Sequence, residues 1–326
     1  MIKTLHISRF KSIRELSLDC KRINVFIGEP NTGKSNILET LGMFSFLHYS
    51  QFGYHARDFV RFEGTSNLFY DKVLDELMEI RCDDLSLKLE YKDGNFRGQC
   101  TSGDVQLVQF GGGHRDVQIS QSSTEPAKTS PFKFYRFSVK EAFPRSGSDF
   151  LLPPSGDNLL SLLLTKRELR RVVNRPFLPI GLQLVLRPQE QKIEVQKQIE
   201  DIAISYPYSL TSETLQRLTF HLAAIMSNQN SVLVFEEPES HSFPYHSKYL
   251  AEQIALDEDS NQYFIATHNP YFLLPVLEKA PQDQVSVHIV YYQGYETKVK
   301  ELAPGALAEL SEIDIFSNLE RYLEAQ

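Results

Sequence analysis

The sequence predicts an α/β protein: a mixed, mostly parallel sheet flanked by helices, with a β-rich insertion. Three observations carry that expectation. A buried strand, a glycine-bearing turn and a helix follow one another over residues 22–45. Strand and helix patterns alternate again beyond residue 150, as parallel sheets with crossover helices require. Between them lies a long stretch of short strands and turn residues with little helical period. The expected organisation is a core built from 1–45 and 150–326, with 46–149 as a β-rich insertion or extension of it.

The first elements are strands. Residues 5–8 (LHIS) and 16–20 (LSLDC) alternate, and 22–27 (RINVFI) is a nearly continuous apolar run, as in a strand buried on both faces. From Gly33 the pattern becomes helical, with Ile37, Leu38, Leu41 and Phe44 spaced for one face. Residues 78–82 (MEIRC) and 85–91 (LSLKLEY) read as strands, and 93–131, rich in Gly, Ser, Gln and Thr, as hairpins with mobile loops. Residues 157–175 have helical period, 181–188, 191–199 and 201–206 read as strands, and 212–227 reads as a helix carrying Leu215, Leu218, Leu222 and Ile225 on one face. The apolar strand 231–235, a helix opened by Pro244, and the strands 262–268 and 285–292 complete the series.

Composition narrows the functional classes. The chain has 326 residues, 34 Lys and Arg against 42 Asp and Glu, and a formal charge of −8. The acidic balance argues against a protein that simply coats nucleic acid, though not against one basic groove. Hydrophobic residues make up 41% and charged residues 23%, values of a folded, water-soluble protein. No apolar run is long enough to span a membrane, and the N-terminus lacks the apolar core of a secretory signal. Three scattered cysteines make neither a disulfide framework nor a zinc site. A cytoplasmic location is the expectation.

Residues 28–35, Gly-Glu-Pro-Asn-Thr-Gly-Lys-Ser, fit G-x-x-x-x-G-K-S between a strand and a helix. A helix N-terminus offers free N–H groups and the positive end of its dipole to a phosphate. Glycine lets the backbone curl around the anion. In such a loop Gly28, Asn31, Thr32 and Gly33 form the cradle, Lys34 reaches the β- and γ-phosphates, and the Ser35 hydroxyl ligates Mg²⁺. Strand 231–235 then runs into Glu236 and Glu237, whose position at the end of a parallel strand faces the ligand crevice. One acid would hold the metal and the other polarise the attacking water. His268, at the end of the next strand, is placed to sense or hydrogen-bond a terminal phosphate.

These elements, in this order, resemble the ABC-type ATPases of the RecF/SMC/OLD group over residues 1–45 and 150–295. The resemblance implies a P-loop sheet with a helical signature lobe, ATP and Mg²⁺ as cofactors, and ATP hydrolysis that is slow. It makes Glu236 the metal acid, Glu237 the catalytic base and His268 the switch histidine, with Lys34 catalytic. The opening ISRFKSI is similar to the family's F-K-S turn, which would put Phe10 and Lys11 near the nucleotide. Residues 210–217 (LTSETLQR) are similar to the signature motif, so Thr211 and Ser212 would cap a nucleotide held by a second copy in an ATP-sandwiched homodimer.

Two departures matter. Glu213 stands where the family has glycine, and a like charge about 5 Å from phosphate costs roughly 3 kcal/mol at an effective dielectric of about 20. Glu236 stands where the family usually has aspartate, one methylene shorter. Gln51 is the candidate for the family's Q-loop glutamine. Lys166, Arg167, Arg170, Arg171 and Arg175 form a basic helix that would grip nucleic acid or an acidic partner, or simply face solvent. The resemblance further implies a separate effector, a nuclease or toxin, in bacterial genome maintenance or phage defence. Two other readings stay open: a nucleotide-gated scaffold with little turnover, and a DNA-binding repair ATPase.

Overall fold

The computed structural model describes residues 1–122, 128–303 and 315–324. Parts of the loop reading (123–127) and of the core range (304–314, 325–326) lie outside the described residues.

A six-stranded sheet has the order β16-β15-β3-β14-β13-β9. Its strands are β3 (Ile23–Ile27), β9 (Phe132–Tyr135), β13 (Val232–Glu236), β14 (Gln262–Ala266), β15 (Val285–Gln293) and β16 (Glu296–Glu301). All neighbours pair parallel except β15 with β16. β3 is buried at every position, which explains its unbroken apolar run. The strand polarity puts the C-terminal ends of β3, β13 and β14 on one edge. Gly28, Glu236 and His268 therefore meet there, although more than two hundred residues separate the first from the others.

A second sheet is antiparallel, in the order β2-β1-β4-β5-β6-β7-β8. It joins β1 (Thr4–Phe10) and β2 (Ile13–Asp19) to β4 (Met78–Cys82), β5 (Leu85–Lys92), β6 (Asn95–Ser102), β7 (Val105–Gly112) and β8 (Gln118–Ser122). Sheet membership thus departs from the boundaries expected at 45/46 and 149/150. β1 and β2 lie in the sheet built largely from 78–122, and β9 joins the phosphate-loop sheet. The cause is hydrogen bonding between strands far apart in sequence: Leu5 pairs with Cys82, and Phe132 with Val232.

Helix α1 (Lys34–Tyr49) lies between the two sheets. Thirteen of its residues are buried, so its apolar surface wraps around the helix instead of forming the single stripe expected. One apolar core joins α1 to the antiparallel sheet and to one face of the central strands, through Phe26, Val234 and Phe264. The opposite face, through Val25, Phe235 and Ile265, packs against α5 (Glu213–Ser227), α6 (Pro244–Ala255) and α7 (Pro270–Lys279).

A lobe follows β9. The helical pattern over 157–175 divides into α3 (Leu159–Thr165) and α4 (Arg167–Asn174), with Lys166 extended at φ −101°, ψ 98°. An unbroken helix would put Lys166 on the stripe of Leu159, Leu162 and Leu163; the break takes it out of the core face. A three-stranded antiparallel sheet, β10 (Gln183–Arg187), β11 (Lys192–Ile199) and β12 (Ile202–Pro207), leads into α5.

Candidate functional site

The loop after β3 turns back on itself before entering α1. Gly33, the residue preceding α1, has φ 104°. A Cβ there would lie 2.1 Å from the Thr297 hydroxyl, and one on Gly28 would lie 2.1 Å from the Val290 carbonyl oxygen. Both glycines are required by close approach of the β15–β16 hairpin as well as by positive φ. Thr297 fastens the loop, donating to the Thr32 carbonyl at 2.9 Å and sharing a hydrogen bond with Ser12 at 2.7 Å. The hairpin's role is invisible in the G-x-x-x-x-G-K-S spacing.

A cavity of about 910 Å³ opens over this loop. Asn31, Thr32, Gly33, Lys34 and Ser35 line it, together with Lys11, Glu236 and Glu237. Lys34 curls over the loop and donates to the carbonyls of Gly28 and Glu29, each at 2.7 Å. Burial lowers its pKa, while Glu237, Glu236 and Glu29 pull the other way. Ser35 donates its hydroxyl to Glu236 Oε1. That contact joins the start of α1 to the end of β13.

Glu237 sits just beyond β13 in the left-handed region at φ 45°. Its N–H bonds the Ala266 carbonyl at 2.9 Å, extending the β13–β14 pairing by one residue. The carboxylate is held from two sides. His268 Nδ1 lies 3.1 Å from Oε1, and the Ser240 hydroxyl donates to Oε2 at 3.1 Å. Beneath this loop Glu239 is buried and accepts from the Thr267 hydroxyl. Burial raises the Glu239 pKa to about 7 against these hydrogen bonds.

Other expected residues are placed differently. Phe10 is fully buried in the core, whereas its neighbour Lys11 reaches the cavity wall. Burial lowers the Lys11 pKa despite its ion pair with Glu39. Thr211 and Ser212 precede α5 and do not line the cavity; Ser212 is exposed, and the Thr211 hydroxyl bonds the Tyr208 carbonyl at 2.7 Å. Glu213 directs its charge to Arg217, 2.7 Å away along the helix. Gln51 follows the C-terminal end of α1, opposite Lys34, and bonds the His48 carbonyl. It is therefore remote from the loop. On α4, Arg171 pairs with Glu168 at 3.6 Å and Arg170 bonds the Leu163 carbonyl at 3.0 Å.

Sequence reasoning missed Arg61, Arg136, Tyr292 and Glu39. Arg61, Arg136 and Tyr292 also line the cavity. Glu39, fully buried on α1, gathers Lys11, Arg61 and Arg136. Only Glu39 left a local trace, as an acid amid the apolar run of α1, one turn after Ser35.

The donor set fits a Mg·nucleotide. Among the described residues no group of three or more His, Cys, Asp or Glu gathers into an all-protein metal site. Two oxygens, Ser35 Oγ and a Glu236 carboxylate, lie together beside the start of α1. Mg²⁺ accepts such a partial set because water and phosphate oxygens complete its octahedron. The glycine-floored loop and Lys34 supply the anion's side of the site. Among the described residues no helix is long and apolar enough to cross a membrane.

Known proteins share this architecture. The chain is similar to a crystallised Smc head bound to the C-terminal winged-helix domain of ScpA, with 14% identity and TM-score 0.50, covering 96% of this chain and 99% of that one. It is also similar to an Smc head with an extended coiled coil bound to the C-terminal domain of ScpA, derived from Pyrococcus furiosus, with 12% identity and TM-score 0.52, covering 95% and 98%. At such identities the likeness is one of fold. A curated relative, "Uncharacterized protein MJECL10" of Methanocaldococcus jannaschii, is 49% identical over 45 residues, which is 14% of this chain and 20% of that protein's length. The family model described as "AAA domain, putative AbiEii toxin, Type IV TA system" matches residues 23–274. The chain belongs to that family, and its fold is that of the Smc heads.

Proposed function

We propose that the chain binds Mg·ATP in the cavity over residues 28–35 and hydrolyses it slowly. The observation that carries this reading is the meeting of Lys34, Ser35–Glu236 and Glu237 around one cavity, with His268 hydrogen-bonded to Glu237. The loop N–H groups and Lys34 bind and orient the triphosphate. Ser35 and Glu236 hold the metal, which when bound neutralises charge on the phosphate oxygens. Glu237, fixed between His268 and Ser240, takes the proton from the attacking water. His268 is exposed beside Glu237, where it donates to that carboxylate or to a terminal phosphate.

The same reading includes an ATP-dependent homodimer. Leu210 is 76% exposed beside exposed Ser212, so the start of α5 is free to meet a second copy. Neutralisation of Glu213 by Arg217 eases the repulsion that its charge would bring to a phosphate. Nucleotide-driven pairing of heads then gates a separate effector protein, in genome maintenance or phage defence. The ScpA domains bound to the two Smc heads are a precedent for a protein partner on this fold.

Phosphate release by the purified chain tests the proposal. Turnover should disappear in Glu237→Gln while ATP remains bound. Absent turnover in the unaltered protein, with ATP-dependent dimerisation intact, would make it a nucleotide-gated scaffold.

A further inference from the structure

Arg61 stands between two carboxylates. Its Nε donates to Glu39 Oε1 at 2.8 Å, and one terminal guanidinium nitrogen donates to Glu236 Oε1 at 2.9 Å. The Ser35 hydroxyl donates to that same Glu236 oxygen. The oxygen placed beside Ser35, where a divalent cation would be ligated, is therefore already neutralised by a guanidinium. The Arg61 backbone N–H also bonds Glu39 Oε1, at 3.1 Å, so two bonds anchor the residue at Glu39 and one reaches Glu236. Glu39 is fully buried, whereas the Arg61 side chain is 56% exposed. The Glu236 end can thus move into water while the Glu39 end stays fixed.

We infer that Arg61 is a cation placeholder: it occupies Glu236 in the nucleotide-free protein and swings off, hinged on Glu39, when a divalent metal arrives. This inference rests on the Mg·nucleotide reading of the cavity. A guanidinium and a dication cannot both sit against one carboxylate oxygen without strong repulsion, so metal entry and the Arg61–Glu236 pair compete. The placeholder also has a purpose before the metal comes. Unpaired, Glu236 would present a second negative charge beside Glu237 to an incoming triphosphate.

The test uses the full chain saturated with a non-hydrolysable ATP analogue, with Mn²⁺ in place of Mg²⁺ and free Mn²⁺ read by electron paramagnetic resonance. Arg61→Ala should bind Mn²⁺ about tenfold more tightly than the unaltered chain, since a competing charge has been removed. Glu39→Gln, which loosens the anchor and leaves Arg61 to Glu236, should bind it more weakly. Glu39 is buried and its replacement risks the fold, but Arg61 is half exposed, so the first variant stands alone. Unchanged or weaker Mn²⁺ binding in Arg61→Ala overturns the placeholder. If the unaltered chain binds neither analogue nor Mn²⁺, the nucleotide reading itself fails as well; if it binds both and Arg61→Ala shows no gain, only the placeholder fails.

Discussion

Replacing Glu239 by glutamine should flatten the pH dependence of stability. Glu239 is 2% exposed, and its Oε2 has no hydrogen-bond partner among the described residues. Burial raises its pKa from 4.5 to about 7, against hydrogen bonds from Thr267 and the backbone N–H groups of Glu239 and His268. A carboxyl with a raised folded-state pKa favours folding in its protonated form. Its contribution is fully present below pH 4.5, falls as pH rises, and is lost above about pH 7. At 1.36 kcal/mol per pH unit, that window corresponds to roughly 3 kcal/mol. Chemical denaturation at pH 4.5 and pH 8 would measure it. The unaltered chain should lose roughly 3 kcal/mol more than Glu239→Gln between those two conditions. Parallel stability curves for the two proteins would refute the reasoning. Because Glu239 ties the Glu237 loop to the residue before His268, the same titration should loosen Glu237, and under the proposed ATPase function turnover in Glu239→Gln should depend less on pH near 7.

Three further outcomes follow from the geometry. Gly28→Ala places a Cβ 2.1 Å from the Val290 carbonyl at φ 148°, and should cost more than about 2 kcal/mol in a denaturation curve and abolish nucleotide binding. Thr297→Val keeps the side-chain shape but removes the bonds to Thr32 and Ser12; a loss of about 1–2 kcal/mol in stability and weaker ATP binding by calorimetry are expected. If α4 grips nucleic acid, charge reversal at Arg170 and Arg171 should abolish DNA binding and its salt dependence in a titration; with Arg171 already paired to Glu168, the difference between proteins should instead be small.

Much of the fold could be read from local pattern. β3, β13 and β14 announce themselves as apolar runs because strands buried on both faces carry no polar alternation. The phosphate loop is legible for a similar reason: its cradle, Lys34 and Ser35 lie within eight consecutive residues, so spacing records them, though not the distant Thr297 and Glu236 that they contact. Helix α5 begins at Glu213, close to its expected start, because its buried leucines keep one period. The single helix expected over 157–175 is broken at Lys166, since periodicity does not register where the core ends.

By itself, then, the sequence determined the strand–loop–helix of the phosphate site, the acids at the end of β13 and the histidine at the end of β14. Tertiary structure alone decided that β1 and β2 belong with residues 78–122, that Thr297 clamps the loop, and that Arg61 bridges Glu39 and Glu236. The reason is physical. Backbone propensity and hydrophobic period act over a few residues, whereas an ion pair such as Arg61–Glu236 forms only after a loop residue and a strand end, 175 positions apart in the chain, have been brought together by the packed fold.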